Sequence, residues 1–489
     1  MVRIDLAINA GSIRQWHADL ALAVLSAGHL VSWIISNGAA PTVPSSLELL
    51  LSIERLLYGE VRRYSADKMA PDKLPRSQGG ETASLMISLD ATYRFPSGQS
   101  GMRLLYDGVA GEIPVFSALL AGRAPVIEVQ REPEGVIIAR AVPSLEGCRT
   151  VNDSFARVTS VATALLIRAV EEKGPPLVPI PPSAQPLRMG RVSADLLRGV
   201  ALTALRRLYS LCCYPSHWRI GWRFVKGADV WDRCDLAGVP WHSVANPTAR
   251  FLADPFPIQW QGSCYVFVED FDQRTGKGNI SFVRFDQNGP VGPPHLVLDE
   301  PWHLSYPFLI EHKGTIWMIP ESSACRQVLL FRADPFPTRW VKEAVLLDDT
   351  FATDATVIPH AGRFWMLVTA SREQNYSDAL EVYHADDLLG PWVPHRRNPV
   401  LIDVGAARSA GNIVLRESQL WRPVQDCRGG YGSALGLARI DELTEHSYRQ
   451  TVQAVLHAGA HWPGRRIHTL NRASDLECID GSSTTFRFS

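Results

Sequence analysis

LADPFPIQWQGSCYVFVED, residues 252–270, is one of four segments built to one plan. The others are LSYPFLIEHKGTIWMIPES at 304–322, ATDATVIPHAGRFWMLVTA at 352–370 and RSAGNIVLRESQLWRPVQD at 408–426. In each, an aromatic falls eleven residues after an inner reference position: Asp254 to Tyr265, Tyr306 to Trp317, Asp354 to Trp365, Ala410 to Trp421. The reference positions lie 52, 48 and 56 residues apart. Repeats of roughly 40–50 residues made of short β segments predict a propeller, with one four-stranded sheet per blade. A fifth blade is needed to close the ring. RRIHTLNRASDLECIDG from Arg465 fits it, and WRIGWRF, 218–224, is placed to give that last blade an outer strand. QGS, HKG, HAG and IDG read as turn signals.

Outward from the repeats, the 489 residues divide in three. Residues 1–173 look α/β and Rossmann-like. VRIDLAINA alternates as a strand, RQWHADLALAVLSAG has helical periodicity ending at Gly28, and HLVSWIIS is a second strand. SLMISLD is a third buried strand, and FARVTSVATALLIRAVEEK closes the unit as an amphipathic helix. Residues 174–213 hold a Pro-rich linker, GPPLVPIPPSAQP, and a helix expected over Ser193–Cys213 with Ser193 as N-cap. Arg198, Arg206 and Arg207 make that helix basic. It suits either packing between domains or peripheral contact with an anionic membrane. Residues 214–489 are the expected all-β propeller.

Composition narrows the function classes. The formal net charge is −1, so no charge excess points to nucleic acid. The 14 Trp suit blade packing, and eight of them lie between Trp218 and Trp340. The eight Cys show no CxxC and no spacing for zinc, so no metal and no cofactor are expected. Met1 leads straight into a strand, and no apolar run reaches transmembrane length. Reduced thiols and a cytoplasmic location, membrane-peripheral if the basic helix binds lipid, are the expectation. GxGxxG and P-loop patterns are absent, and DFDQ and DATV lack EF-hand spacing.

The repeats also nominate a site. Fifteen residues after each reference position stand Glu269, Glu321, Thr369 and Gln425. With the hairpins in register, these and Asp254, Tyr306, Asp354 and Ala410 gather at one axial pocket, with His468 from blade V at its mouth. Several carboxylates in one pocket fit glycoside chemistry: one ionised acid activates water or a hydroxyl, and one protonated acid protects the leaving oxygen from departing as an anion. Arg422 and Gln425 are placed to hold sugar hydroxyls or a carboxylate. Lys277, in the turn DQRTGKGNI, reads as a solvated turn residue.

Two resemblances sharpen these expectations. GMRLLYDGVAGEIPVFSALLAGRAPVIEVQREPEGVIIAR, Gly101–Arg140, resembles the core of formyltransferases acting on folate-linked formyl groups. That family implies an Asn and a His before the helix and an Asp beyond it. Here the stretch reads Arg103, Leu104, Leu105, Tyr106, Asp107, and Glu134 stands near the Asp position. Without an imidazole there is no general base near neutral pH, so a degenerate scaffold is expected, with Asp90 and Asp107 as exposed polar candidates for binding. The second half resembles the five-bladed propellers of family 43 glycoside hydrolases. That resemblance implies Asp254, in ADPF, as base and Asp354, in TDATV, as the acid-tuning residue; the family's blade IV Glu is here Ala410. YPFLIE, MIPES, GPWVPHRRNP, RPVQDC and HTLN are similar to the N-terminal propeller of plant glucosamine inositolphosphorylceramide transferases, and to bacterial proteins pairing such a propeller with a formyltransferase-like domain. A glycan context is what this resemblance implies.

Two functions follow. One is an enzyme that transfers or cleaves a glycosyl unit in bacterial polysaccharide or glycolipid metabolism, with a glycan or nucleotide-sugar substrate. Asp254 and Asp354 are then catalytic, Glu321 replaces the blade IV acid as proton donor, and Glu269, Tyr306, Arg422, Gln425 and His468 bind substrate. The other is a non-catalytic glycan-recognition module in polysaccharide assembly. Oligomeric state is left open.

Overall fold

The computed structural model describes residues 2–38, 43–58, 65–77, 84–96, 98–171, 176–178, 181–183, 213–214, 217–247, 249–370, 377–459, 461–462, 464–482 and 485. Most of the linker, and all of the expected basic helix except Cys213, lie outside the described residues. The chain forms two compact units, Met1–Thr203 and Ala204–Ser489.

The first unit is built on one six-stranded mixed sheet, ordered β2-β1-β3-β4-β5-β6. Its strands are β1 (Arg3–Asn9), β2 (Leu30–Ser36), β3 (Ser84–Ser88), β4 (Gly101–Tyr106), β5 (Ile127–Glu132) and β6 (Val136–Ala141). The first four run parallel, β5 runs antiparallel to β4, and β6 antiparallel to β5. The helices are α1 (Gln15–Ser26), α2 (Ser45–Tyr58), α3 (Ile113–Leu120) and α4 (Val151–Glu171). α4 buries Phe155, Val158, Ala162, Leu165 and Leu166, a stripe at helical spacing. Phe155 stacks on Phe116 of α3 at 4.7 Å between ring centroids. Arg14 is buried. Its guanidinium bonds Glu48 of α2 and Glu112 at the start of α3, each at 2.7 Å.

The stretch resembling a formyltransferase site is held by structural bonds. Asp90 and Asp107 are buried, not exposed. Asp90 accepts from Ser36 Oγ at 2.9 Å, and Asp107 accepts from Arg123 at 2.7 Å and from the Val126 amide at 2.9 Å. Arg103 pairs with Glu132 at 2.9 Å, and Tyr106 is buried. Glu134 sits exposed in the β5–β6 turn.

The second unit is a five-bladed β-propeller. Blade I runs from the axis outward as β9 (Arg250–Trp260), β10 (Ser263–Asp272), β11 (Lys277–Asp286) and β12 (Gly289–Leu298). Blade II is β13 (Ser305–His312), β14 (Thr315–Glu321), β15 (Val328–Ala333) and β16 (Trp340–Leu347). Blade III is β17 (Ala352–His360), β18 (Arg363–Ala370), β19 (Ala379–Ala385) and β20 (Val393–Pro394), with β21 (Leu401–Ile402) also on β19. Blade IV is β22 (Val414–Arg416), β23 (Gln419–Asp426), β24 (Ala434–Leu443) and β25 (Tyr448–Leu456). Blade V joins both ends of the ring: β26 (Leu470–Ala473) and β27 (Leu476–Ser482) pair with β7 (Trp218–Phe224), and β8 (His242–Ser243) lies outside β7.

The repeat has a local cause. Seven residues after each reference position the chain turns with two successive residues at positive φ: Gln261-Gly262, Lys313-Gly314, Ala361-Gly362 and Glu417-Ser418. Two positive φ angles make a type I′ hairpin, whose twist matches the strands it joins. The recurrent aromatic braces this turn in blades II and III. Trp317 Nε1 donates to His312 O at 3.3 Å, and Trp365 Nε1 to His360 O at 3.2 Å. IDG is not a turn. Ile479-Asp480-Gly481 lies inside β27, where Gly481 leaves room for the Trp462 indole.

Ring closure has its own clamp. Asp229 caps the short helix α5 (Val230–Arg233) and accepts from Arg416 of blade IV at 2.8 Å and Arg472 of blade V at 2.5 Å. Arg223 of β7 and Glu477 of β27 form a fully buried pair at 2.8 Å. Removing one partner of a buried ion pair strands the other charge. Asp229→Ala removes a helix cap and two ion pairs to partly exposed arginines, and is expected to lower the propeller's unfolding free energy by about 1–2 kcal/mol in denaturant titration; a change within about 0.5 kcal/mol contradicts the clamp.

Candidate functional site

The reference residues of blades I–III share an unusual backbone. Asp254, Tyr306 and Asp354 have φ of 49°, 42° and 54°. There each inner strand slips register against its neighbour, between Phe267 and Glu269, Ser305 and Phe308, and Thr353 and Thr356. Each is a β-bulge, which re-aims one side chain and frees one amide from the ladder. Blade IV meets the same need with Gly411, at φ 136°.

The freed groups bond from blade to blade. The Asp254 amide donates to Asp480 Oδ2 at 3.1 Å, and the Tyr306 amide to Asp254 Oδ2 at 3.1 Å. Asp254 Oδ1 accepts from Thr469 Oγ1 at 2.8 Å. His468 Nδ1 stands 2.6 Å from Asp480 and 3.7 Å from Asp254, and its ring stacks on Trp218 at 3.9 Å. Asp480 Oδ1 also accepts the amides of His468 and Thr469, at 3.0 Å each. Asp354 is paired with Arg408 at 2.6 Å, and the Arg408 guanidinium lies 4.7 Å over Tyr431. Glu321 accepts from Ser305 Oγ at 2.9 Å on one oxygen and Ser323 Oγ at 2.6 Å on the other.

This crowd of acids polarises its members. Burial pushes Asp354 up to about 7, with Arg408 opposing and Glu321 and Asp254 adding to the rise. Burial also lifts Asp254, while the charge on His468 opposes it and Asp480 reinforces it. Glu269 is driven furthest: burial comes first, and Asp254, Glu321, Asp480 and Asp354 all disfavour its charge. His468 is desolvated, yet Asp480 and Asp254 hold its proton more tightly than usual. Glu269 is thus biased toward its protonated form by burial and by four acids, whereas Asp254, also raised by burial, has the charge of His468 opposing the rise. Atoms of Asp254, His468 and Asp480 also lie within 4.8 Å of one another, close enough to hold an ion. His468 Nδ1 is already bonded to Asp480 there.

Asp254, Glu269, Glu321, Asp354 and His468 therefore do meet at the axis. Three other expected residues take different places. Tyr306 is fully buried, its hydroxyl 2.9 Å from Thr356 Oγ1 and accepting from the Gly411 amide at 2.8 Å. Arg422 is buried in blade IV, donating to Gln450, to Ala407 O and to Ser409 Oγ, so its fork of donors faces protein. Gln425 Nε2 donates to Ser409 O at 3.0 Å, and the residue is buried. His468 is 2% exposed and stands within the cluster rather than at a mouth. Ala410 is fully buried, its amide donating to Pro423 O and its carbonyl accepting from Leu470. Lys277 donates to Asp299 and to Glu300 O, as a turn residue does. Sequence reasoning passed over Arg408, Tyr431, Thr469 and Asp480. Arg408 lies two residues before a reference position and could have been flagged there.

Residues 239–480 match the family described as Glucosamine inositolphosphorylceramide transferase 1, N-terminal. Over 242 residues the chain is 31% identical to Glucosamine inositolphosphorylceramide transferase 1 of Oryza sativa subsp. japonica, covering 46% of this chain and 32% of that protein. The Arabidopsis thaliana protein of the same name is 31% identical over 253 residues, 48% of this chain and 33% of its own length. The chain thus spans about a third of the length of these curated relatives. Among solved structures, Zg3597, a family 117 glycoside hydrolase of Zobellia galactanivorans, has 13% identity over 54% of this chain and 90% of its own, with a TM-score of 0.36. CoXyl43, a family 43 β-xylosidase/α-arabinofuranosidase from a compost metagenome, has 13% identity over 49% of this chain and 92% of its own, with a TM-score of 0.34.

A raised carboxyl pKa means the folded state keeps a proton the unfolded chain has released. For Asp354 that window runs from about 4, the unfolded value, to about 7. Stability contributed by its protonated form is present below the window and lost as pH rises through it. Asp354→Asn is expected to flatten the fall in unfolding free energy between about pH 4 and about pH 7, measured by urea titration at stepped pH. An unchanged slope sinks the assignment.

Proposed function

We propose that the propeller's axial site processes carbohydrate, transferring or cleaving a glycosyl unit. One observation carries this: acids from different blades converge on the axis and their surroundings differ, since burial raises all three but His468 opposes the rise at Asp254 and Arg408 at Asp354, while neighbouring acids reinforce it at Glu269. Glycosyl chemistry needs acids that differ, because one carboxylate must take a proton from the attacking hydroxyl while a neutral acid supplies one to the leaving oxygen. Asp254 is the base. Its oxygens accept from Thr469 Oγ1 and the Tyr306 amide, which fixes its orientation, and His468 favours its ionised form. Asp354, paired with Arg408, tunes the neighbouring acids. Glu321, both oxygens held by serine hydroxyls, is placed as an acceptor for substrate hydroxyls.

The names of the matched relatives support a sugar joined to a phosphorylated lipid as the substrate context, in glycolipid or polysaccharide metabolism. A nucleotide-sugar or a preformed glycan is the donor. The basic segment 193–213 serves peripheral contact with a membrane on the cytoplasmic side; among the described residues no helix is long and apolar enough to cross one.

Turnover of aryl glycosides and nucleotide-sugars by the full chain tests this. Asp254→Asn is expected to lose at least about 100-fold in kcat with the fold intact by circular dichroism. Full activity in Asp254→Asn removes the base. No turnover of any donor, together with tight glycan binding, assigns the propeller to glycan recognition instead.

The N-terminal unit is proposed to be a formyltransferase-like scaffold without that activity. Where the chemistry needs an imidazole, the chain has Arg103 to Asp107, all held in structural bonds or buried. Formyl-folate turnover by the full chain is expected to be at background; turnover above background overturns the scaffold reading.

A further inference from the structure

We propose that Glu269 donates the proton to the leaving oxygen in the axial site, positioned by His303. This rests on the glycosyl-processing reading above and assigns the acid that blade IV, with Ala410, does not supply.

Glu269 lies on β10, paired opposite Ala253, directly before the Asp254 bulge. It is 8% exposed, and its Oε1 lies 3.5 Å from His303 Nε2. His303 sits in the loop leading into blade II, with a side chain 36% exposed. The Gly278 amide donates to His303 Nδ1 at 2.9 Å. An N–H donor at Nδ1 requires a bare lone pair there, so the neutral ring carries its proton on Nε2, facing Glu269. Nε2–H then faces Oε1 at 3.5 Å, within reach of a hydrogen bond on a small movement, and that favours Oε2 as the oxygen carrying the carboxyl proton. The contact is long for a hydrogen bond, as catalytic contacts often are without ligand.

The surroundings are fitted to this pair. A Cβ at Gly278 would stand 2.8 Å from Glu269 Oε1, 2.8 Å from His303 Cε1 and 2.5 Å from Leu304 O, so a larger residue would push the two apart. Phe271 flanks the imidazole at 6.0 Å. Beyond burial, Asp254, Glu321, Asp480 and Asp354 all disfavour the charged form of Glu269, in a cluster whose described cations are Arg408 and His468. Glu321, the rival donor, has both oxygens engaged as acceptors by Ser305 and Ser323.

The step balances. Glu269 gives its Oε2 proton to the glycosidic oxygen, and the C1–O bond breaks with its electron pair staying on that oxygen. The acceptor hydroxyl or water forms the new bond to C1, and its proton passes to Asp254. Water then reprotonates Glu269 and takes the proton from Asp254.

The experiment compares wild type, Glu269→Gln, His303→Gln and Glu321→Gln, as full chains, on aryl and alkyl glycosides of one sugar. Alkyl glycosides need an acid because their leaving group is poor; nitrophenyl glycosides do not. Glu269→Gln is expected to lose at least about 100-fold on alkyl glycosides and under about 10-fold on nitrophenyl ones. In the infrared difference spectrum at neutral pH, wild type minus Glu269→Gln should show the band of a protonated carboxyl. His303→Gln should move the alkaline limb of the pH–rate profile, a shift that mere loss of packing does not produce. Equal losses of Glu269→Gln on both substrates, the leaving-group pattern appearing in Glu321→Gln instead, or no protonated band overturns the assignment. No turnover in wild type overturns it together with the glycosyl reading, whereas turnover in wild type that Glu269→Gln leaves intact overturns this inference alone.

Discussion

A backbone kink at the start of each inner strand organises the propeller. Asp254, Tyr306 and Asp354 sit at positive φ, a conformation that costs L-residues about 1–2 kcal/mol each. The neighbouring blade offsets the strain. The Tyr306 amide, turned out of its own ladder, finds the Asp254 carboxylate, and the Asp254 amide finds Asp480. The bulges at Asp254 and Tyr306 join one blade to the next, and those at Asp254 and Asp354 present an acid at the axis. Strain that persists because its surroundings over-determine it is a recurring property of functional sites.

The same arrangement concentrates negative charge. Asp254, Glu269, Glu321, Asp354 and Asp480 share the axis, against Arg408 and the imidazole of His468. Among the described residues the acids outnumber these two cations, and burial raises the pKa of Asp254, Glu269 and Asp354. Which acid keeps its proton depends on neighbours. Asp354 has a guanidinium at 2.6 Å, Asp254 has an imidazole at 3.7 Å, and Glu269 has, among the described residues, His303 at 3.5 Å and a ring of acids. The proposed acid and base roles rest on that asymmetry.

Much of this was legible in the sequence, because the propeller repeats. The eleven-residue spacing from reference residue to aromatic encodes a hairpin of fixed length, and the structure shows the I′ turn and the indole bonds behind it. Register then put Asp254, Asp354, Glu269 and Glu321 together. Less legible was the choice between facing the axis and facing a blade. Gln425 has the right register and Arg422, three residues earlier, does not; the polar groups of both bond back to Ala407 and Ser409. Asp480 was hidden by its glycine neighbour, which suggested a turn where Trp462 needed space. In the first unit, the start signal of α2, Ser45 three residues before Glu48, went unused. Asp90 and Asp107 looked exposed because short polar residues end strands, whereas each caps a buried bond network.

The central claim is that the sugar is handled at the axis, between Asp254 and Glu269. A crystal structure of the full chain with a bound glycan tests it most directly. The account predicts the sugar ring against both carboxyls, with the anomeric carbon or its departing oxygen about 3–3.5 Å from one of them. A glycan bound on the outer strands of the blades, with the axial acids untouched, would contradict it.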